Sequence, residues 1–359
     1  MSDIRLYFNG YNQSGENPKN ISGETNLARV TAVHRERYEI YCEQGEAFAR
    51  LKGGLFFGKD TIYPTVGDFV TIVYNELGDS LITETLPRKT FFSRADPDPV
   101  KPAQAVAANF DFVFILSSQN RDFNLGRIER YLTLAYHSGA QPVILLTKAD
   151  LCENPEENIE AVEEIAFGVP VHSVSAVTGE GMNALSEYLK PGKMIVFLGS
   201  SGVGKSSLIN AISGEELMET GAIREDDDRG RHTTTHRQLM LLKSGVMVID
   251  TPGMRTMGMS DATDGLSGSF SDVEVFLGKC RFTDCRHRSE PGCAIREAIR
   301  TGKLTQERWE SFERLKRETG YGERKARLTA NRYEKNAEHE KLERLKSKQK
   351  SREEEDRWI

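Results

Sequence analysis

The sequence lacks long apolar runs. None of its hydrophobic stretches approaches the roughly 20 residues that a membrane-spanning helix needs. The first residues, Met-Ser-Asp-Ile-Arg, contain no apolar segment of the kind that a secretory signal requires. We therefore predict a cytoplasmic protein that makes no membrane contact.

An excess of positive charge is also absent. Acidic residues number 54 and basic residues 48, so the net charge is −6. This balance excludes a protein that coats nucleic acid indiscriminately, although it permits local basic faces. Hydrophobic residues make up 38% of the chain and charged residues 28%, as in soluble globular proteins. A chain of 359 residues exceeds what one core usually serves, which predicts two or three domains.

Cysteine is scarce, and three of the five cysteines lie close together in the sequence Cys280-x4-Cys285-x-His287-x5-Cys293. In a reducing compartment such a cluster indicates a metal site before a disulfide. Three thiolates and one imidazole suit tetrahedral Zn²⁺ in a closed, structural site. Free cysteines in a helical domain are the alternative. Basic residues around the ligands fit RNA phosphates; they are Lys279, Arg281, Arg286 and Arg288.

The N-terminal part of the chain predicts a small all-β domain. Residues 1–25 are a polar extension for which we predict no role in a core. Residues 26–90 alternate short strands with turn signals, which predicts a five-stranded barrel of the OB-fold class. The open face of such barrels commonly binds oligonucleotides, and a solvated charged face is an equal alternative. The candidate phosphate contacts are Arg29, Arg35, Arg37, Arg50 and Lys52.

The centre of the chain predicts an α/β domain. Residues 91–102 are rich in proline and charge and predict a linker. From 103 to 259, apolar strands alternate with helices, which is typical of a parallel sheet covered on both faces. Its ligand site should lie at the carboxyl ends of the strands.

A phosphate-binding loop follows the apolar strand at 195–198. The pattern Gly-x4-Gly-Lys-Ser stands between this strand and a helix, so backbone N–H groups can surround phosphate oxygens. Lys205 would reach the β- and γ-phosphates, and Ser206 would hold Mg²⁺. The predicted nucleotide contacts of this loop are Gly199, Ser200, Ser201, Gly202, Val203, Gly204, Lys205, Ser206 and Ser207.

Two stretches upstream resemble the guanine-reading motifs of GTPases. They are Thr147-Lys148-Ala149-Asp150 and Ser175-Ala176, each after an apolar strand. A carboxylate at Asp150 can accept from the ring N–H and the exocyclic amine of guanine, the Lys148 stem can lie along the ring, and the Ala176 N–H can donate to the guanine carbonyl. Thr147 stands where Asn is usual, which puts the anchoring of the loop in question. An ordinary helix cap is the alternative for the first stretch alone.

The reaction centre is predicted from two further segments. Asp250 ends a buried strand and would hold Mg²⁺ through water, while the Gly253 N–H would meet the γ-phosphate. The segment 229–236 resembles the mobile loop that supplies a threonine to Mg²⁺, and among its three threonines we favour Thr234. Met254 occupies the position of the usual water-positioning Gln. We therefore predict slow intrinsic hydrolysis, with His232 orienting water; a solvent-facing histidine is the alternative.

The motifs stand in a permuted order. In ordinary GTPases the phosphate loop comes first, whereas here the guanine-reading residues precede Lys205, which indicates a circular permutation. The chain then leaves the domain just after Gly253 and enters the Cys/His segment. We hypothesise that nucleotide state moves this C-terminal module. We predict a mainly helical zinc-binding domain at 260–305 and a charged helical tail at 306–359, in which Trp309, Phe312 and Leu315 dock on one face.

The combination resembles the ribosome-small-subunit-dependent GTPases, the RsgA family, over about residues 26–305. The stretches that carry the resemblance are 64–70, 147–150, 175–176, 199–207, 230–235, 250–253 and the Cys/His cluster. The resemblance implies a GTPase that acts late in maturation of the small ribosomal subunit. Such proteins bind rRNA near the decoding region and hydrolyse GTP when the subunit stimulates them. We expect a monomer.

Two other classes of function remain open. One is a GTP-dependent switch of the same fold that acts on a different RNA or protein. The other is a non-enzymatic RNA-binding protein whose nucleotide site is vestigial. The intact Lys205, Ser206 and Asp250 argue against the second class.

Overall fold

The computed structural model describes residues 7–8, 25–34, 37–53, 63–94, 104–218, 238–250 and 263–320. Among these residues, no helix combines the length and apolar character that crossing a bilayer requires. The predicted reaction-centre residues His232, Thr234 and Gly253 lie outside the described residues.

The first five strands close into a barrel, which confirms the predicted five-stranded architecture. They are β1 (Thr25–Val33), β2 (Tyr38–Cys42), β3 (Gly45–Leu51), β4 (Phe69–Val73) and β5 (Ser80–Thr85). Their order is 1-2-3-5-4, and β4 returns to pair with β1. Alternate residues of each strand point inward, so Val30, Ile40 and Ile82 are fully buried in the barrel core.

A short hairpin follows the barrel where the sequence predicts a linker. Strand β6 (Phe91–Arg94) pairs antiparallel with β7 (Gln104–Ala108). Phe92 is buried and stacks on Phe110 at a centroid distance of 4.9 Å. Phe92 therefore forms part of the main core, although proline and charge dominate the residues after it.

The central sheet has the parallel strands that the sequence predicts. It contains β8 (Phe112–Ser118), β9 (Gln141–Thr147), β10 (Val171–Val174), β11 (Met194–Gly199), β12 (Gln238–Leu241) and β13 (Met247–Asp250). The order is β10-β9-β8-β11-β13-β12, with β12 antiparallel to its neighbour. Helices α1 (Leu125–His137), α2 (Pro155–Ile165) and α3 (Lys205–Ser213) belong to this domain, and two apolar clusters cover the strands.

Barrel and central domain share one sheet. Strand β1 pairs with β12 at Ala32 and Gln238. At the middle of β1, Arg29 reaches the amino ends of the central strands and is only 1% exposed. Its guanidinium donates to the backbone oxygen of Asn109 at 3.3 Å and lies near the sulfur atoms of Met194 and Met247. The expectation that Arg29 contacts phosphate is therefore wrong, because the side chain is sequestered at the domain junction.

Tyr7 and Phe8 of the N-terminal extension also pack against the core, contrary to the prediction for residues 1–25. Tyr7 is buried, its ring stacks on Tyr41 at 4.1 Å, and its backbone oxygen accepts from Arg29 at 2.6 Å. Phe8 stacks on Phe69 at 6.2 Å. Two aromatic residues in a polar segment thus pack at the domain junction. Hydrophobic periodicity cannot predict this contact, because two residues are too few to show a period.

The described C-terminal residues form helices and turns. They contain α4 (Thr263–Ser269), α5 (Ser271–Glu274), α6 (Ala294–Arg300) and α7, which runs through residues 306–320. Trp309, Phe312 and Leu315 are buried against the main core, which confirms their predicted docking on one face.

The domain junction leads to a prediction at Gly67, where φ is +90°. A Cβ atom there would lie 2.1 Å from the carbonyl oxygen of Ala108. Gly45 is a matched control, since its φ is +103° but nothing lies within 4 Å of an added Cβ. Both alanine variants should lose about 1–2 kcal/mol of unfolding free energy through backbone strain, and Gly67→Ala should lose more because of the clash. Urea denaturation measures the difference, and equal losses would contradict the close approach.

Candidate functional site

The predicted nucleotide residues meet at one edge of the central sheet. Thr147, at the end of β9, is aligned with Ser118 of β8 and Val174 of β10. Gly199, at the end of β11, is aligned with Leu116 of β8. Because these strands are parallel, the loops that follow them emerge side by side.

The phosphate loop has the backbone that its sequence predicts. It leaves β11 at Gly199 and enters α3 at Lys205. Gly202 and Gly204 have φ of +73° and +96°, which side chains rarely adopt. These residues turn the loop so that its N–H groups and the N-terminus of α3 can receive an anion.

Thr147 anchors the phosphate loop despite its departure from the usual Asn. Its hydroxyl lies 2.5 Å from the carbonyl oxygen of Val203 in the loop and 3.4 Å from that of Ser117. The side chain is buried, so this bond is protected from water. A hydroxyl is therefore sufficient to join the guanine-reading segment to the phosphate loop.

The two guanine-reading segments also meet. The Ser175 hydroxyl donates to Oδ1 of Asp150 at 2.5 Å and accepts from the N–H groups of Val177 and Thr178 at 3.2 Å. Lys148 adopts a left-handed conformation with φ +61°, and a one-turn 3₁₀ helix follows it. Asp150 is exposed at the strand edge, while Ser175 is fully buried beneath it. The serine thus orients a carboxylate that is accessible to a base.

Sequence patterns missed three polar residues around this edge. Gln119 is buried and donates to the Leu146 carbonyl and the Ser173 hydroxyl. Asp122, in the β8–α1 connection, and Arg127, in the first turn of α1, contact Ser200 of the phosphate loop. They belong to no motif, and only the tertiary fold brings them to the loop.

Part of the predicted site lies outside the described residues. This applies to His232, Thr234 and Gly253, and for Asp250 only the backbone is described, as the last residue of β13. Ile249 of β13 is aligned with Val196 of β11, so the backbone of Asp250 reaches the same edge as the phosphate loop.

The Cys/His cluster converges as its spacing predicts. The ligand atoms of Cys280, Cys285, His287 and Cys293 lie within 4.8 Å of one another. The sulfur atoms of Cys280 and Cys293 are 3.9 Å apart. Tetrahedral zinc with Zn–S bonds of about 2.3 Å places two sulfurs about 3.8 Å apart. Three sulfurs and one nitrogen at these separations could hold a metal ion, and they fit zinc.

A carboxylate organises the loop that carries His287. Glu290 accepts from the N–H groups of Arg286, Arg288 and Ser289 at 3.1, 2.8 and 3.0 Å. Hydrogen bonds to the carboxylate lower the pKa of Glu290 to about 2. The bond from the residue's own backbone N–H has the largest effect, and the three neighbouring N–H groups add to it. His287 has φ +60°, so the loop must be held in an unusual conformation. The Glu290 carboxylate supplies that restraint at all pH values above its usual pKa.

Together these observations define a class of protein: a phosphate-loop GTPase with a five-stranded N-terminal barrel and a permuted order of motifs. The family model described as RsgA GTPase matches residues 85–260 of this chain. A small ribosomal subunit biogenesis GTPase RsgA 1 from Listeria monocytogenes is 48% identical over 85% of this chain and 87% of that protein. Its counterpart from Methanosarcina acetivorans is 42% identical over 86% and 83%. The chain belongs to the RsgA family of GTPases.

Solved structures agree with the fold. The crystal structure of YjeQ from Thermotoga maritima covers 81% of this chain and 97% of its own, with a TM-score of 0.59 and 28% identity. That of YloQ, a circularly permuted GTPase, covers 83% and 96%, with a TM-score of 0.56 and 25% identity. The predicted permutation is thereby confirmed.

A second family model, described as ABC transporter, matches residues 182–351 of this chain. This range includes the phosphate loop, which ATPases and GTPases share. It omits Asp150 and Ser175, the residues that the structure joins at the guanine-reading edge. The match is therefore explained by the phosphate loop.

The contact between Thr147 and Val203 leads to a prediction for nucleotide affinity. Thr147→Val keeps the shape but leaves a buried carbonyl without its partner, which costs about 1–3 kcal/mol. We expect the Kd for a fluorescent GDP analogue to rise about tenfold, as measured by titration. Thr147→Ser keeps the hydroxyl and should retain near-normal affinity. Equal behaviour of the two variants would contradict the anchoring role.

The restraint on the His287 loop leads to a prediction for metal affinity. Glu290→Gln replaces one acceptor oxygen by an amide NH₂ group, which cannot accept a hydrogen bond from a backbone N–H. Loss of such outer contacts typically weakens metal binding about 10–100-fold, and competition with a chelator measures the loss. Glu297→Gln is the control, because that carboxylate pairs with the exposed Arg300 side chain. If both variants keep their metal equally, Glu290 has no such role.

Proposed function

We propose that the protein hydrolyses GTP as a late-stage assembly factor of the small ribosomal subunit. The observation that carries the proposal is the joined site, in which Ser175 orients Asp150 and Thr147 ties the same segment to the phosphate loop. The names of the curated relatives, small ribosomal subunit biogenesis GTPase, support the choice of partner. We assign the protein to the cytoplasm and expect it to act as a monomer.

Two modules are proposed to bind rRNA near the decoding region. The barrel has the strand order 1-2-3-5-4, which supports an OB-fold. On its surface the Arg37 guanidinium lies 3.7 Å from the centroid of the exposed Phe48 ring, and Arg37 and Arg50 both pair with Asp79. Rearrangement of these pairs would free cations for phosphate and the Phe48 ring for a base.

The C-terminal module, which we place at 260–305, is proposed to bind one structural Zn²⁺ through Cys280, Cys285, His287 and Cys293. Zinc would fix the loop on which the basic side chains stand. Four of these side chains are exposed and available to RNA phosphates; they are Lys279, Arg281, Arg286 and Arg288.

For the reaction, we assign Mg²⁺ to Ser206, Asp250 and Thr234, and the triphosphate to Lys205 and the loop N–H groups. Magnesium would neutralise charge on the β- and γ-phosphates when bound. Met254 replaces the usual Gln, so intrinsic turnover should be slow. His232 is proposed to orient water once the subunit is bound, and the Gly253 N–H is proposed to meet the γ-phosphate.

The decisive experiment compares GTP hydrolysis with purified small subunits, with large subunits and without RNA. We expect the small subunit alone to stimulate turnover by at least about a hundredfold, in the manner of a partner that completes an active site. His232→Ala should lose most of this stimulation while keeping GDP affinity. Preference for another RNA or protein would support the switch alternative. Absence of single-turnover hydrolysis would support the non-enzymatic alternative.

A further inference from the structure

The positively charged side chain of Arg127 lies beside the phosphate loop, and the reaction proposed above gives it no role. Arg127 stands in the first turn of α1, and its Nη1 atom is 3.3 Å from the Ser200 hydroxyl and 3.2 Å from Oδ2 of Asp122. The Ser200 hydroxyl donates to the same Asp122 oxygen at 3.3 Å. Guanidinium, hydroxyl and carboxylate thus form a closed cycle at the loop.

This cycle holds the end of the loop that Thr147 does not reach. Ser200 directly follows Gly199, while the Thr147 bond to Val203 lies near the start of α3. The two anchors therefore bracket Ser201 and Gly202. Phosphate binding needs the loop N–H groups to converge on one point, so restraint at both ends lowers the ordering cost of binding.

Helix α1 is in turn held by the C-terminal residues. Glu129 is 3% exposed and accepts from Nη1 of Arg308 at 2.8 Å, with Nη2 of Arg314 at 3.6 Å. Arg308 also pairs with Asp272 at 2.9 Å, and its guanidinium lies 4.0 Å from the Phe270 ring centroid. A buried ion pair of this kind fixes orientation more than it adds stability.

Helix α4 contacts α1 nearer the C-terminal end of α1. A Cβ atom at Gly265 of α4 would lie 2.0 Å from the Thr133 carbonyl oxygen, and one at Gly268 would lie 2.7 Å from Cγ of Tyr136. The absence of side chains at these two positions lets α4 approach α1 directly. Helices α4 and α7 therefore hold α1 at two levels, and Arg127 lies in its N-terminal turn.

We propose that Arg127 is a positioning residue of the nucleotide site. It holds the phosphate loop through Ser200, and the C-terminal helices keep it in place by gripping α1. The inference rests on the proposed binding of GTP at this loop. It gives the C-terminal module a connection to the phosphates that is separate from the segment 251–262.

The first test compares Arg127→Met with Arg127→Lys. The loop holds the β-phosphate of GDP and GTP alike, so Arg127→Met should raise both dissociation constants about tenfold, with a smaller change in kcat at saturation. Arg127→Lys keeps a donor and should recover part of the affinity. Arg300→Met is the control, since Arg300 is an exposed arginine that pairs with Glu297 within α6 rather than with α1, and it should leave both constants unchanged.

The second test removes the ion pair by which α7 contacts α1. The pair Glu129→Leu and Arg308→Met replaces a buried ion pair by apolar side chains, which folded proteins often tolerate; thermal melting checks the fold. We expect weaker nucleotide binding, and less than additive loss when Arg127→Met is combined with it. Additive losses would overturn the role of the grip.

Other outcomes are equally decisive. Unchanged dissociation constants in Arg127→Met would overturn the inference. A fall in kcat with unchanged GDP affinity would also overturn it, because the side chain would then contact the γ-phosphate. A wild-type protein that binds no guanine nucleotide would instead refute the proposed function.

Discussion

The arrangement of the domains depends on one buried cation. The Arg29 guanidinium donates to the backbone oxygens of Tyr7 and Asn109, and the centroid of the Phe69 ring lies 4.7 Å from it. Burial lowers its pKa to about 10, so the group is still charged at neutral pH. Each partner comes from a different part of the chain: the N-terminal extension, the connection between β7 and β8, and the barrel. The junction is therefore fixed by contacts that converge on one charged group, and the strands that carry the nucleotide loops are held at their opposite ends.

Much of this fold could be predicted because its signals are local. Alternation at 26–90 indicated the barrel, and the order of Asp150, Ser175 and Lys205 indicated the permutation. The Cys/His spacing indicated convergence that the structure confirms. Burial of Arg29 could not be predicted, since a lone arginine in an amphipathic strand has the same pattern whether it faces solvent or a neighbouring domain.

The candidate site shows the same limit. The motif at 147–150 predicted base-reading residues, yet only the tertiary contact with Val203 shows that Thr147 anchors the phosphate loop. The approach of Arg127 to Ser200 links a helix N-terminus to a loop 73 residues away in sequence. Such contacts depend on how β8 and β11 pair, and no short pattern records that pairing.

The pairing of β1 with β12 has a consequence for how force could pass through the molecule. Ala32 is aligned with Gln238, and Gln238 is aligned with Asp250, so these three residues form one rung across three strands. Arg29 contacts Met247 at the other end of β13, three residues away, which corresponds to about 10 Å along a strand. Strand β1 therefore spans the whole height of β13. A partner that tilts the barrel would therefore displace β12 against Asp250, the residue that we propose to hold Mg²⁺.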